Sequence, residues 1–356
     1  MDRTEKLFKE ITEVPGISGY ESEVRRVMRK HLEPVAVIEQ DRMGSIIGVQ
    51  RGSAEAPRVM LAGHMDEVGF LVKLITKQGF IKFLTVGGWW DQVVLAQRVT
   101  VLTRNGEVPG VVGAKPPHLL QPEERKKVLQ LKDMYIDVGA TSKTDVEAMG
   151  VRPGDPVIPV CPFTIMSNSK SYMAKAWDNR VGCALTIQAL EQLAETDHPN
   201  TVYGVGTVQE EVGLRGARTS AHAVSPDVGI ILEVGIAGDV PGMKEEESAE
   251  KLGAGPVLLV YDASMIPNLD LRNLAMDTAK EMGINLQFDA MQRGGTDAGT
   301  IHIHGEGVPC VVLGVPSRHI HSHASIIHRS DYDDALRLVV ELVKRLDAET
   351  VAGLTR

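Results

Sequence analysis

Cysteine is scarce in this chain. Its 356 residues include 3 cysteines, Cys161, Cys183 and Cys310, and no two of them form a Cys-x-x-Cys pair. An odd and widely spaced set of this kind supports neither a disulfide framework nor a zinc site built from thiolates.

An excess of positive charge is also lacking, as are long apolar runs. The formal net charge is -9, which argues against a nucleic-acid-binding surface and against a polybasic membrane patch. No apolar run approaches the roughly 18 residues of a membrane span, and residues 1–5 lack the apolar core of a signal peptide. The sequence therefore predicts a cytoplasmic protein that binds neither nucleic acid nor membranes.

The length exceeds what a single core usually holds, so we expect a large domain with an insertion, or two domains. After about residue 178, predicted helices and strands alternate, which indicates a mainly parallel sheet covered by helices on both faces. Helices are predicted over residues 4–13, 20–32, 180–193, 216–224, 268–282 and 331–346. Strands outside the middle of the chain are predicted over residues 35–39, 45–49, 58–62, 201–208, 228–232, 256–261, 286–290 and 309–313.

The middle of the chain differs from both ends. Short strand-like runs separated by Gly, Asn and Pro occur there without a long helical period. Strands are predicted over residues 70–74, 80–86, 98–103, 108–112, 134–138 and 156–159. We therefore expect an all-β domain over residues 71–163, inserted into an α/β domain formed by residues 1–70 and 164–356.

The most informative segment covers residues 207–213, where a β-rich apolar run ends in two adjacent glutamates, Glu210 and Glu211. Burying carboxylates costs several kcal/mol unless something compensates, so the pair suggests a bound cation. One glutamate can hold a metal while its neighbour moves protons. A Glu-Glu pair in isolation would fit a solvated loop better, but other segments change this interpretation.

Further polar residues follow predicted strands or open a helix, and the carboxyl ends of parallel strands meet at one edge of a sheet. They are His64 and Asp66 after the strand 58–62, Glu233 after the strand 228–232, Asp178 before the helix 180–193, and His319, His321 and His323 beyond the strand 309–313. These groups are therefore expected to converge on one site.

Imidazole and carboxylate ligands without thiolate suit a catalytic zinc, cobalt or manganese site with an open position. The carboxylates outnumber what one divalent ion needs, which favours two ions that share a bridging aspartate. Ordinary structural roles remain open at this point: Asp178 could cap a helix, and His64 could be a core histidine. Spacing alone does not choose among the three late histidines, which would share one face if their segment were extended. The segment 294–298 is either an ordinary connection or a substrate-facing loop.

Five motifs span nearly the whole chain. They are Ala62-Gly63-His64-Met65-Asp66-Glu67-Val68-Gly69, Ala176-Trp177-Asp178-Asn179-Arg180, Gln209-Glu210-Glu211-Val212-Gly213-Leu214-Arg215-Gly216-Ala217, Gly294-Gly295-Thr296-Asp297-Ala298 and Arg318-His319-Ile320-His321-Ser322. Together they resemble the motifs of cytosolic dinuclear-metal aminopeptidases, a family that includes glutamyl, deblocking and tetrahedral (TET) aminopeptidases.

The resemblance implies two divalent metal ions per subunit, zinc or cobalt, with manganese also compatible. The implied metal ligands are His64 and Glu233 for one ion, Glu211 and His321 for the other, and Asp178 as the bridge. The implied catalytic residues are Glu210 as general base and Asp66, which would orient His64. Relatives usually have aspartate where Glu233 stands, and a longer carboxylate can still reach a metal.

The resemblance also implies a fold and an assembly. The fold would be a three-layer, phosphorylase/hydrolase-like α/β catalytic domain with an inserted small β-barrel domain of PDZ-like character. Many relatives assemble as twelve-subunit tetrahedra, so a homo-oligomer is expected.

The implied activity is removal of N-terminal residues from peptides with a free N-terminus, by a water that two metal ions activate. A related two-metal amidohydrolase, either a deacylase or a carboxypeptidase, is the nearest alternative. An endoglucanase-type glycosidase is a second alternative, but glycosidases need no metal and the aromatic content of 4% is low for a sugar-stacking cleft. A non-enzymatic binding protein with a vestigial site is the third. The sequence does not choose among acidic, aliphatic and basic N-terminal residues.

Overall fold

The computed structural model describes residues 1–355, and within them the strands fall into two groups, an 11-stranded mixed sheet and a closed barrel. The strands are β1 (Val37–Gln40), β2 (Ile46–Arg51), β3 (Arg58–His64), β4 (Gly69–Ile75), β5 (Ile81–Val86), β6 (Arg98–Thr103), β7 (Gly106–Gly113), β8 (Tyr135–Asp137), β9 (Pro156–Pro159), β10 (Thr164–Ile165), β11 (Ser171–Ala174), β12 (Thr201–Thr207), β13 (Val228–Ile236), β14 (Val257–Tyr261), β15 (Gln287–Ala290), β16 (Cys310–Arg318) and β17 (Ser325–His328).

The large sheet has the order β1-β2-β12-β3-β13-β16-β17-β11-β10, and β14 joins β15 to β16. Its four central strands, β12, β3, β13 and β16, are parallel, as predicted. The prediction of a mainly parallel sheet is wrong for the edges, where β2, β17, β11 and β10 pair antiparallel with their neighbours. Strand β14 is antiparallel to β16 and parallel to β15. Short connections such as the one between β1 and β2 reverse the chain and leave no room for the crossover that a parallel pair needs.

Helices cover the sheet on both faces. The α-helices are α1 (Arg3–Glu13), α2 (Ser22–Leu32), α3 (Asp91–Val94), α4 (Pro122–Arg125), α5 (Lys143–Ala148), α6 (Trp177–Leu193), α7 (Arg215–Val224), α8 (Leu269–Glu281), α9 (Ala298–Ile301), α10 (Arg329–Arg345) and α11 (Ala348–Gly353), with short 3₁₀ helices at Pro117–Leu119 and Leu131–Asp133.

Alternation along the strands explains the three layers, because successive side chains of a strand point to opposite faces. In β3, Val59 and Leu61 belong to one core, together with residues of α1, α2, α6, α8 and α10. Met60 and Ala62 belong to a second core, together with residues of α7 and α9. The predicted three-layer α/β fold is therefore confirmed.

The predicted β-barrel is also confirmed. Strands β4 to β9 close into a barrel with the order β4-β5-β8-β7-β6-β9, and Phe70, Val101 and Ile136 are part of its own core. The predicted domain boundary at residue 71 falls inside β4. A separate small cluster, in which Ile17 packs with the barrel residues Val86 and Ile158, joins the barrel to the α/β part.

Among residues 1–355, no helix combines the length and the apolar character that crossing a bilayer requires.

Candidate metal centre

The central parallel strands deliver their polar residues to one edge of the sheet. His64 is the last residue of β3, and Glu210 and Glu211 follow the end of β12. Glu233 lies inside β13, because this strand continues to Ile236, so the prediction that it follows the strand was wrong. Strand β16 likewise continues to Arg318, beyond the predicted end at residue 313.

Asp178 lies between the two histidines of the site. Its Oδ1 is 3.0 Å from Nε2 of His64, and its Oδ2 is 3.3 Å from Nε2 of His321. Although the residue falls in the first turn of α6, its backbone is not helical, with φ -80° and ψ 106°. The carboxylate thus faces two imidazoles that come from opposite ends of the chain.

The late histidine segment is bent rather than extended. His319 and His321 both have left-handed backbone conformations, with φ of 63° and 54°. The histidines of residues 319–323 therefore do not share one face, as they would in a strand. His321 is the one whose Nε2 approaches Asp178, and the same atom lies 3.8 Å from Oε2 of Glu211.

Both histidines are oriented by backbone carbonyl groups. Nδ1 of His64 is 3.0 Å from the carbonyl oxygen of Asp66, and Nδ1 of His321 is 2.6 Å from that of Gly88. Because a carbonyl can only accept a hydrogen bond, each Nδ1 carries a proton. In the neutral ring the lone pair is then on Nε2, the atom that faces Asp178 in both cases, as a metal ligand requires.

The carboxylate of Asp66 supports the two glutamates. Oδ1 accepts a hydrogen bond from the backbone N–H of Glu210 at 3.0 Å, and Oδ2 accepts one from that of Glu211 at 3.1 Å. The hydroxyl of Ser18 donates to Oδ2 at 2.6 Å. Oδ1 is 3.5 Å from Nδ1 of His64, so Asp66 approaches that ring mainly through its own carbonyl.

The buried carboxylates compete for protons. Burial raises the pKa of Glu210 and of Glu233 well above the usual range, although the charge of His64 opposes the rise. Burial and repulsion from Asp178 raise the pKa of Glu211 to about 8. For Asp178, burial acts to raise the pKa, but hydrogen bonds from His321 and His64 hold it below its ordinary value.

The same charges act on the imidazoles. Burial lowers the pKa of both rings, but the net shift is upward in each case. For His64 the opposing charges are those of Glu210 and Glu233. Asp178 and Glu211 raise the pKa of His321 to about 10. The carboxylates therefore favour a positive charge at each Nε2.

This arrangement fits divalent cations. One ligand atom from each of His64, Glu210 and Glu233 lies within 4.8 Å of the others, and the same holds for His64, Asp178 and Glu211. Oε1 of Glu211 and Oε1 of Glu233 are buried and make no hydrogen bond. A cation would replace the protons that these groups share and give the two unpartnered oxygens a ligand role.

Asp297 is a candidate functional residue that the sequence patterns alone did not indicate. Its side chain is fully buried next to the site, where the Thr207 hydroxyl donates to Oδ2 and Oδ1 makes no hydrogen bond. Burial raises its pKa to about 6, and its charge in turn raises the pKa of Glu210 and of Glu233. The available signal was an acidic residue within the motif Gly-Gly-Thr-Asp-Ala, directly before a helix.

A cleft of about 680 Å³ opens over the candidate metal ligands. Gly294, Gly295 and Thr296 line it, so this segment faces the cleft rather than serving only as a connection. The remaining lining residues are His64, Gly88, Asp178, Glu210, Glu211, Gly213, Leu214, Glu233, Val234, Ile236, Ala263, Ser264, Met291, Arg293, Ile320 and His321.

Comparison with known proteins identifies the family of the chain. The sequence profile described as M42 glutamyl aminopeptidase matches residues 44–338, which include all seven candidate site residues. The chain belongs to the M42 aminopeptidase family. A second profile, described as AMPT, matches residues 2–28 of this M42 chain.

Full-length relatives support the assignment. The M42 chain is 40% identical to the putative aminopeptidase FrvX of Escherichia coli (strain K12), covering 99% of this chain and 98% of FrvX. It is 49% identical to the TET aminopeptidase of Thaumarchaeota archaeon SCGC AB-539-E09, with a TM-score of 0.98 and coverage of 99% of each chain. The TET1 peptidase of Pyrococcus horikoshii, which can assemble into a tetrahedron or a large octahedral shell, is 31% identical with a TM-score of 0.86, covering 96% of this chain and 100% of that chain.

Proposed function

We propose that this M42 protein is a dinuclear metal-dependent aminopeptidase that removes N-terminal residues from peptides. The position of Asp178 is the observation that carries the proposal. Its two carboxylate oxygens face Nε2 of two different histidines, at 3.0 and 3.3 Å, as a ligand shared by two ions would. The unpartnered buried oxygens of Glu211 and Glu233 add to this support.

His64 and Glu233 would hold one ion, His321 and Glu211 the other, and Asp178 would bridge them. The ions would be zinc or cobalt, with manganese also compatible with this ligand set. When bound, they supply Lewis acidity to the scissile carbonyl and to the attacking water.

Glu210 is the proposed general base. Its side chain lines the cleft, and burial together with the charges of the neighbouring carboxylates raises its pKa, which makes it a stronger base than an exposed glutamate. It would accept the proton of the attacking water and deliver this proton to the leaving amine. Asp66 would hold the Glu210–Glu211 backbone in place through the two amide hydrogen bonds, and so direct both side chains toward the cleft.

The proposed substrates are peptides with a free N-terminus, and the proposed compartment is the cytoplasm. We also propose a homo-oligomer, a tetrahedral dodecamer being the form expected from the resemblance. Support for an oligomer comes from the similarity to Pyrococcus horikoshii TET1, which can assemble into a tetrahedron or a large octahedral shell.

Hydrolysis of a panel of aminoacyl-anilides and their N-acetylated counterparts tests the activity. The protein would be stripped of metal and then reloaded with Zn²⁺, Co²⁺ or Mn²⁺. Metal-dependent cleavage restricted to free amino termini is the expected result. Cleavage of acylated substrates only would favour the deacylase alternative, and a folded protein that is silent under every metal would overturn the proposal.

A further inference from the structure

The inserted barrel reaches the candidate metal centre through two glycines. Gly87 and Gly88 follow directly after β5, and Gly88 lines the cleft. The carbonyl oxygen of Gly88 lies 2.6 Å from Nδ1 of His321, so the partner that orients this imidazole comes from the barrel and not from the α/β part of the chain.

This segment leaves little room for side chains. A Cβ on Gly88 would lie 3.1 Å from Nδ1 and 3.3 Å from Cε1 of His321, and apart from its chain neighbours no other residue would lie within 4 Å of it. A Cβ on Gly87 would lie 3.0 Å from Oε2 of Glu211 and 2.7 Å from Cγ1 of Val68. The two glycines are thus packed against both proposed ligands of one ion.

The segment is anchored on each side. The indole N–H of Trp89 donates to the carbonyl of Gly69 at 3.1 Å, and its ring stacks on Phe70 with centroids 4.7 Å apart. On the other side, Val86 packs in the cluster with Ile17, which belongs to the α/β part. The segment that carries the Gly88 carbonyl is therefore held in place by contacts within the barrel and by the contact of Val86 with Ile17 of the α/β part.

We infer that Gly87 and Gly88 are positioning residues, through which the inserted barrel sets the affinity for the ion held by His321 and Glu211. The Gly88 carbonyl fixes the Nδ1–H form of His321 and aims Nε2 at Asp178 and Glu211, and the bare Gly87 leaves space for the Glu211 carboxylate. The inference rests on the proposed function, since it takes His321 and Glu211 as metal ligands. His64 has its carbonyl partner within its own loop, so the other ion does not depend on the barrel in this way.

The test compares Gly87→Ala with Gly139→Ala. Both glycines belong to the inserted segment and have nearly the same positive φ, 77° and 76°, so the backbone penalty of a side chain is shared. A Cβ on Gly139 meets nothing within 4 Å, which makes this variant a matched control. Gly88→Ala is the second test variant, because its φ is not positive and its new Cβ meets only His321.

The readouts are the two Co²⁺ affinities of the metal-stripped protein, measured by chelator competition, and the visible spectrum of the Co²⁺-loaded protein. Gly87→Ala and Gly88→Ala should each lower the affinity for one of the two ions by about 10- to 100-fold and alter the spectrum. Gly139→Ala should leave both Co²⁺ affinities and the spectrum at wild-type values. Its thermal unfolding temperature should fall, because this variant shares the backbone penalty of Gly87→Ala.

Wild-type affinity for both ions in Gly88→Ala would overturn the inference, whatever Gly87→Ala does. Equal weakening of both ions by all three variants would overturn it as well, because it would indicate a general loss of structure. Failure of the wild-type protein to bind two ions would instead contradict the proposed function.

Discussion

Asp66 accepts a hydrogen bond from the backbone N–H of Glu210 at 3.0 Å. The other oxygen of the same carboxylate accepts from the N–H of Glu211 and from the hydroxyl of Ser18. A fully buried carboxylate with three donors thus determines where the proposed base and a proposed ligand leave the strand edge. Burial acts to raise its pKa, but the nearby His64 ring, the Ser18 hydroxyl and the backbone N–H of Glu210 hold the pKa below its ordinary value, so Asp66 is ionised.

Asp66→Asn should therefore damage the site without removing any proposed ligand. An amide has one acceptor oxygen, so its NH₂ group would face one of the two partly buried backbone N–H groups. An unsatisfied buried donor costs about 1–3 kcal/mol, so we expect kcat/KM to fall roughly 10- to 100-fold. Ser18→Ala removes one donor but keeps the carboxylate, and should cost less. Equal activity of Asp66→Asn and wild type would contradict the positioning role.

Glu210→Gln should separate chemistry from metal binding. The amide keeps the shape of the side chain but cannot accept the proton of the attacking water. We expect kcat to fall by about 10²- to 10⁴-fold while two ions per subunit are retained, as measured by metal analysis after dialysis. Glu210 also lies within 4.8 Å of ligand atoms of His64 and Glu233, so loss of one ion in this variant would identify it as a ligand instead of a base.

Asp178→Asn should lower the affinity for both ions, because each carboxylate oxygen of Asp178 faces a different histidine. Glu233→Gln should weaken only the ion near His64, since its Oε2 lies 3.9 Å from Nε2 of His64. Calorimetric titration of the metal-stripped variants with Zn²⁺ measures both. Selective loss of a single ion in Asp178→Asn would rule out a bridging role.

Glu250 offers a pH-dependent test outside the metal centre. Burial, together with the nearby Asp289, raises its pKa to about 8, and neither carboxylate oxygen accepts a hydrogen bond. In the unfolded chain the pKa of a glutamate is about 4.3, so between that pH and about 8 the folded state binds the Glu250 proton more tightly than the unfolded state does. The free energy of unfolding should therefore fall as the pH rises from about 4.3 to about 8, and then level off.

Glu250→Gln should remove this loss, because an amide carries no charge at any pH. Thermal unfolding at pH 5 and pH 8 should show a gain in Tm for the variant that is larger at pH 8. Glu246→Gln, an exposed residue of the same loop, is the matched control and should behave as wild type. A Glu250→Gln effect that is the same at both pH values would contradict the raised pKa.

Much of the fold could be predicted from the sequence because local patterns carried it. The apolar period of the segment 331–346 and the short alternating runs between residues 71 and 163 reflect burial of one face, which is a local property of helices and strands. Strand ends were less certain: β13 and β16 continue past their predicted ends, because pairing along their whole length favours extended backbone beyond the purely apolar residues. The antiparallel edges depend on partners far away in the chain, which local patterns do not specify.

The sequence by itself determined the chemistry available to this protein: a glutamate pair at a strand end, histidines and aspartates without thiolate, and the motifs of an aminopeptidase family. Only the tertiary structure decided how these groups meet. It brought Nε2 of His321 to Asp178 through the left-handed bend, set the Asp66 carboxylate against the backbone of the glutamate pair, and brought the Gly88 carbonyl of the barrel to His321. These contacts join residues separated by up to 233 positions, and distances of that kind are set by packing of the whole chain rather than by any local segment.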